Sequence, residues 1–166
     1  MSLPKPSPIT MNAHRVTAWG QQLRAVHQRL RDALDIARES VEHDEQPGSL
    51  VSNDLQLFCG GFCVALTGHH TSEDATLFPL VLEAQPNLAG TVSKLKQDHS
   101  MIAHLIRGLE AAVRSGEEKG ALLRHLDGIE AVMETHFGFE ERQLVGLLDT
   151  VDVDGLDKAA LYGPIA

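Results

Sequence analysis

Aromatic residues are scarce, five Phe with one Trp and one Tyr making up 4% of the 166-residue chain. Apolar and polar residues nowhere alternate over a useful length, and together these two absences argue against a sheet. Cysteine is nearly absent. Cys59 and Cys63 lie four apart on one expected helix, where a disulfide would be strained, and two sulfurs alone do not make a zinc site. They read as small core residues. No apolar run approaches the ~20 residues needed to span a bilayer. The opening MSLPKPSPIT has no apolar stretch of the secretory type, so a cytoplasmic protein is expected. Positive charge is also short: 14 Lys and Arg stand against 23 Asp and Glu, a net charge of −9. Nucleic-acid phosphates and anionic membrane surfaces both require clustered cations, so neither partner is expected. Nothing in the composition bears on the oligomeric state.

What the chain has in excess is histidine, with nine copies. Imidazole is the commonest protein metal ligand. The length fits one domain with a real core. Residues 1–10, with three prolines, read as a flexible lead-in, residues 11–149 as the folded unit, and residues 150–166 as a loose C-terminal tail with at most a helical turn at 156–161. Apolar residues recur in mixed steps of three and four over 11–42, 51–83, 91–115 and 121–149, each a helix with one buried stripe. The stripes run Val16, Trp19, Leu23, His27, Leu30, Leu34, Ala37, Val41; then Leu55, Phe58, Phe62, Leu66, His69, Glu73, Leu77, Leu80; then Val92, Leu95, His99, Ile102, Ile106, Leu109, Val113; then Leu122, Leu126, Ile129, Met133, His136, Glu140, Leu144, Leu147. Polar breakers around 43–49, 85–90 and 116–120 mark short connections. Four helices so joined give an all-α, up-down-up-down antiparallel four-helix bundle. Pro79 is expected to kink the end of the second helix, and Gly60, Gly61 and Gly68 to allow close helix approach.

Six polar residues interrupt the apolar stripes: His27, His69, Glu73, His99, His136 and Glu140. His69 with Glu73, and His136 with Glu140, are four apart and share a helix face. In an antiparallel bundle, residues equally far from a shared turn sit at one height. His27 lies about 16 residues before the first turn and His69 about 18 after it, and His99 and His136 each lie about 16 from the third turn, at ~1.5 Å per residue. All six therefore converge on one level of the core. Four imidazoles and two carboxylates buried there without partners would cost several kcal/mol per group. They supply enough donors for two metal ions, with Glu able to bridge them. Mixed nitrogen and oxygen ligation suits iron, with manganese or zinc as alternatives. The Glu-x-x-His pairs of ferritin-type bundles are absent, since no Glu has His three residues later.

The order His, His-x-x-x-Glu, His, His-x-x-x-Glu resembles the hemerythrin family, in its HHE cation-binding branch. The residues that carry the resemblance are His27 in LRAVHQRL, His69 and Glu73 in HHTSEDATLFP, His99 in KQDHSMI, and His136 and Glu140 in THFGFEERQL, spanning about residues 20–148. The resemblance implies two non-haem iron ions, oxo- or hydroxo-bridged, with Glu73 and Glu140 as bridges and the four histidines as terminal ligands. It also implies binding of, or reaction with, a small oxidant: oxygen, peroxide or nitric oxide. Two departures from the family's oxygen carriers stand out. Those proteins have a second third-helix His four residues on, where this chain has Ala103; and they have a carboxylate five after the last His, where Glu140 falls at four and Glu141 at five. One ion is then expected to lack a protein ligand, with His104 able to help only if its helix loosens.

Other histidines read as peripheral. His43 caps the end of the first helix, His125 lies three turns from His136, and His70, paired with Asp74, falls ~100° off the stripe. The functional expectation is a di-iron protein that binds or decomposes a small oxidant, catalase-like or otherwise oxidoreductive. The alternative is an iron- or oxygen-sensing or iron-handling module without turnover.

Overall fold

The computed structural model of the protein describes residues 8–44, 53–150 and 158–166, with side chains from Trp19 onward. The expected lead-in up to residue 7, the side chain of Val16, the link from 45 to 52 and the segment 151–157 lie outside these. The described residues are helical, with no strand among them. Helices α1 (Pro8–Glu42), α2 (Asn53–Ser72), α4 (Ala89–Arg114) and α5 (Lys119–Leu148) are long, while α3 (Phe78–Ala84) and α6 (Lys158–Tyr162) are short. A π-helical turn, Glu73–Leu77, joins α2 to α3 without a break, and a 3-10 turn, Pro86–Leu88, precedes α4. Helix α1 packs on α2 and α5, and α4 packs on the same two, so the long helices form a bundle around one core. No described helix is long and apolar enough to cross a membrane.

The stripes read from the sequence are the buried faces. Leu23, His27, Leu30, Leu34, Ala37 and Val41 of α1 are all buried, as are Leu122, Leu126, Ile129, Met133, His136, Glu140 and Leu144 of α5. Ion pairs flank the α1–α5 seam, with Arg31 Nε 2.7 Å from Glu134 and Arg38 2.6 Å from Asp127. Helix α4 ends at Gly116, whose φ of +69° suits glycine. Its N–H and that of Glu117 return to the carbonyls of Val113 and Ala112, closing the helix end.

The second helix departs from expectation in two ways. Phe58 is 38% exposed and Cys59 is buried in its place. Either residue satisfies the spacing between Leu55 and Phe62, so periodicity could not separate them. The second departure is the π-turn. Pro79 has no N–H and its ring crowds the carbonyl four residues back. The helix responds one turn earlier than a kink at Pro79 would, by widening, and the Phe78 N–H bonds to Glu73 O, five residues back. Past the widened turn Leu77, Phe78 and Val81 are buried, and Leu80 packs half-buried against the core. Close helix approach fails at Gly60 and Gly61, where a Cβ would meet nothing within 4 Å, and holds only at Gly68, against Pro164.

The described part of the tail is not loose. Leu161 and Tyr162 are fully buried. The Tyr162 hydroxyl donates to Trp19 O at 2.9 Å, and Arg29 donates to Ile165 O at 3.3 Å. The two apolar side chains supply a driving force that the short polar surroundings hid in the sequence.

Candidate metal centre

All six expected ligands meet at one level of the core. His27, His69, Glu73 and Glu140 are each 0% exposed, with His136 at 1% and His99 at 5%. Their donor atoms fall into two overlapping groups: His27, His69, Glu73 and Glu140, and His70, Glu73, His99 and His136. Glu73 belongs to both. Its Oε1 lies 3.2 Å from His69 Nε2 and 3.4 Å from His99 Nε2. Glu140 also reaches across, with Oε2 3.2 Å from His27 Nε2 and 3.7 Å from His136 Nε2. Donors about 2.0–2.2 Å from one cation would be about 3.0–3.6 Å from each other. Three of the four separations fall in that range and the fourth, 3.7 Å, lies just beyond it.

His70 is the residue that sequence reasoning set aside. It is 5% exposed and its ring stacks on that of His99 at 3.9 Å. The ideal-helix projection put it off the stripe. The buried face of α2 is wider than one stripe: Phe62 and Cys63 are both buried, and so, seven residues later, are His69 and His70. An apolar Cys63 one heptad before His70 was the available signal. His70 places a further donor atom beside those of Glu73, His99 and His136, at the side of the cluster where the sequence left a ligand wanting. His104 is exposed on α4 and takes no part.

Each of the other four imidazoles is held through Nδ1, leaving Nε2 aimed at the donors' common space. His27 Nδ1 pairs with Glu141 at 2.9 Å, His99 Nδ1 with Asp74 at 2.8 Å, His136 Nδ1 with Asp98 at 3.1 Å, and His69 Nδ1 with Tyr162 O at 2.8 Å. Such acceptors place the proton on Nδ1 and the lone pair on Nε2. Each acid adjoins a donor in sequence: Glu141 follows Glu140, Asp74 follows Glu73, and Asp98 precedes His99. It orients a histidine from another helix. With both Nδ1 protons so placed, the Nε2 atoms of His99 and His136, 3.1 Å apart, present two lone pairs to each other. That approach is repulsive unless a cation or proton lies between them.

The energetics point the same way. Among the described residues, every buried side-chain polar atom without a hydrogen-bond partner belongs to this cluster: Nε2 of His27, His69 and His70, and both oxygens of Glu73 and of Glu140. At about 1–3 kcal/mol for each orphaned group, the total is of order 10 kcal/mol, comparable with the whole stability of a domain. A cation shared among these atoms removes the penalty.

Burial holds the His69 imidazole down to a pKa of about 3 and lowers those of His70 and His136, so their rings are neutral and free to ligate. Burial also lowers His27, but Glu140 and Glu141 outweigh it and raise that imidazole. Burial and the adjacent Glu140 raise Glu73 well above the usual carboxyl range. Burial acts to raise Glu140 too, yet the adjacent Glu73 and His27 bring it below that range. In the metal-free cluster Glu73 therefore keeps a proton, which a cation must displace.

A family model for the hemerythrin HHE cation-binding domain matches residues 21–148. The chain belongs to the hemerythrin HHE family. No curated protein and no solved structure matches it. The matched span includes all seven donors of the two groups but stops short of α6. Here the HHE core receives an addition from outside the match, because Tyr162 O is what holds His69. Gly163, with φ +89°, carries the chain past α2 so closely that a Cβ would lie 2.8 Å from the Gly68 carbonyl. Gly163→Ala is expected to lift α6 from α2 and weaken cation affinity about 10–100-fold, the usual effect of losing a ligand's outer partner. The check is a competition titration against a chromophoric chelator. His125, paired 3.6 Å from Glu117 away from the cluster, is the control, and His125→Ala is expected to leave affinity unchanged.

Proposed function

We propose that the protein is a non-haem di-iron hemerythrin-like protein that binds or reacts with a small oxidant in the core of an up-down-up-down four-helix bundle. The observation that carries this reading is the set of orphaned buried donors, all belonging to one cluster and grouped as two overlapping four-residue sites. Five neutral-capable imidazoles and two carboxylates suit iron better than the all-oxygen sets of magnesium or calcium, with manganese or zinc as alternatives. Two iron ions, oxo- or hydroxo-bridged, supply the redox chemistry when bound. The chain's own contributions are positional. Asp74, Asp98, Glu141 and Tyr162 O fix four imidazoles in one tautomer. Phe137 stacks on His27 at 3.9 Å and shields that side from water. Glu73, common to both donor groups, would give up its proton on loading.

The reading includes catalase-like or other oxidoreductase turnover, in a cytoplasmic protein whose −9 charge keeps it from nucleic acid and membrane surfaces. The test is to load the protein with iron, oxidise it in air, and record its absorption spectrum and its oxygen evolution from hydrogen peroxide. Oxo-bridge charge-transfer bands with sustained oxygen evolution are expected. Bands without turnover select the alternative, an iron- or oxygen-sensing or iron-handling module. Absence of the bands in iron-loaded protein contradicts the di-iron reading.

A further inference from the structure

The centre is closed on almost every side. His27, His69, Glu73 and Glu140 are wholly buried, and only His70 and His99, at 5% each, show appreciable surface. Both rings line one cavity of about 180 Å³ between α2 and α4, open to solvent and walled by Thr67, Thr71, Asp74 and Ala103 among others. This is below the roughly 300–1,000 Å³ of pockets for drug-sized ligands, so it suits small molecules.

Its chemistry discriminates further. The Thr67 and Thr71 hydroxyls can donate and accept hydrogen bonds. Asp74, 42% exposed, sets a carboxylate beside the opening while its Oδ1 accepts the hydrogen bond from His99 Nδ1. Around the cluster stand five carboxylates, Glu73 and Glu140 among the donors and Asp74, Asp98 and Glu141 on ring nitrogens. Asp98 is also paired with Lys94 at 3.4 Å and Glu141 lies near Arg31 and Arg24, so the carboxylate that faces the opening with only His99 as its ion-pair partner among the described residues is Asp74. An anion approaching this opening meets the Asp74 charge, with a repulsion that salt weakens, whereas an uncharged molecule does not.

We propose that the cleft over His70 and His99 is the route and docking subsite for a small, uncharged, hydrogen-bonding molecule of the hydroperoxide class, with Asp74 selecting against anions. This rests on the metal centre proposed above.

The experiment uses iron-loaded full-length protein in stopped-flow absorption, with hydrogen peroxide as the neutral probe and azide as the anionic one. Ala103→Leu fills the cleft without touching a ligand. It is expected to slow association of both probes at least tenfold while iron content and melting temperature hold, and the near-isosteric Ala103→Ser is expected to retain the wild-type rates. Asp74→Asn keeps an acceptor for His99 and removes the charge. It is expected to raise the ratio of azide to peroxide association rates at least threefold and to flatten the ionic-strength dependence of azide association alone. Unchanged rates in Ala103→Leu, or equal responses of the two probes to Asp74→Asn, overturn the proposal while leaving the di-iron reading intact. Wild-type protein that takes up no iron overturns both.

Discussion

Glu73→Ala is expected to reduce bound metal from about two ions per chain to well below one, because Glu73 is the one residue shared by both donor groups. The loss should exceed the 10–100-fold effect of removing an outer partner. The same substitution should act in the opposite direction on metal-free protein. There it deletes a fully buried carboxyl whose oxygens have no hydrogen-bond partner, a group costing about 1–3 kcal/mol. At roughly 2–4 °C per kcal/mol for a chain of this size, metal-free Glu73→Ala should melt several degrees above metal-free wild type, and metal should no longer raise its melting temperature. Thermal melts of the four samples, with metal analysis, check both signs. A variant that keeps two ions, or that melts below wild type without metal, contradicts the shared-ligand assignment. Helicity should persist throughout, since the apolar stripes rather than the donors drive helix packing.

Metal removal and acid should act on the same atoms. His69, with a pKa of about 3, and the lowered His70 and His136 bind fewer protons folded than unfolded. Stability from these groups is therefore present above the unfolded histidine value of about 6.5 and is lost as pH falls from there toward 3. His27, whose pKa is raised, acts in the opposite direction and offsets part of this loss. Bound metal adds to the slope, because protons compete for the same nitrogen lone pairs. At pH 7.5 the loaded protein should melt well above the metal-free form, by an amount that grows with metal concentration as RT ln(1 + [L]/Kd). At pH 4.5 the gap should shrink or vanish. Melts at both pH values, with and without iron, decide it, and equal melting temperatures at pH 7.5 contradict ligation in the core.

The helices and the six stripe residues were legible because one rule governs both. A polar residue in an otherwise apolar stripe of period 3.6 must be buried, and residues equidistant from a turn must meet. His70 was not legible because that rule was applied to a single narrow stripe, whereas the buried face of α2 takes adjacent pairs, Phe62 with Cys63 and His69 with His70. Phe58 and Cys59 show the rule's other limit, where steps of three and four are equally good and only the neighbouring helix chooses. Asp74, Asp98 and Tyr162 O escaped because they act across helices on nitrogens facing away from the core, a geometry with no sequence period. The packing of α6 rests on two apolar residues, too few to stand out from a tail. Its contact with His69 shows that the site extends past the part of the chain that the family pattern covers.

The most direct test of the central claim is an anaerobic equilibrium titration of metal-free protein with ferrous iron at pH 7.5, counting ions bound per chain. The account predicts saturation at two equivalents, and saturation well below one when Glu73 is replaced by alanine. Failure to bind, or binding that Glu73→Ala leaves untouched, would show that the buried donors do not form the metal centre.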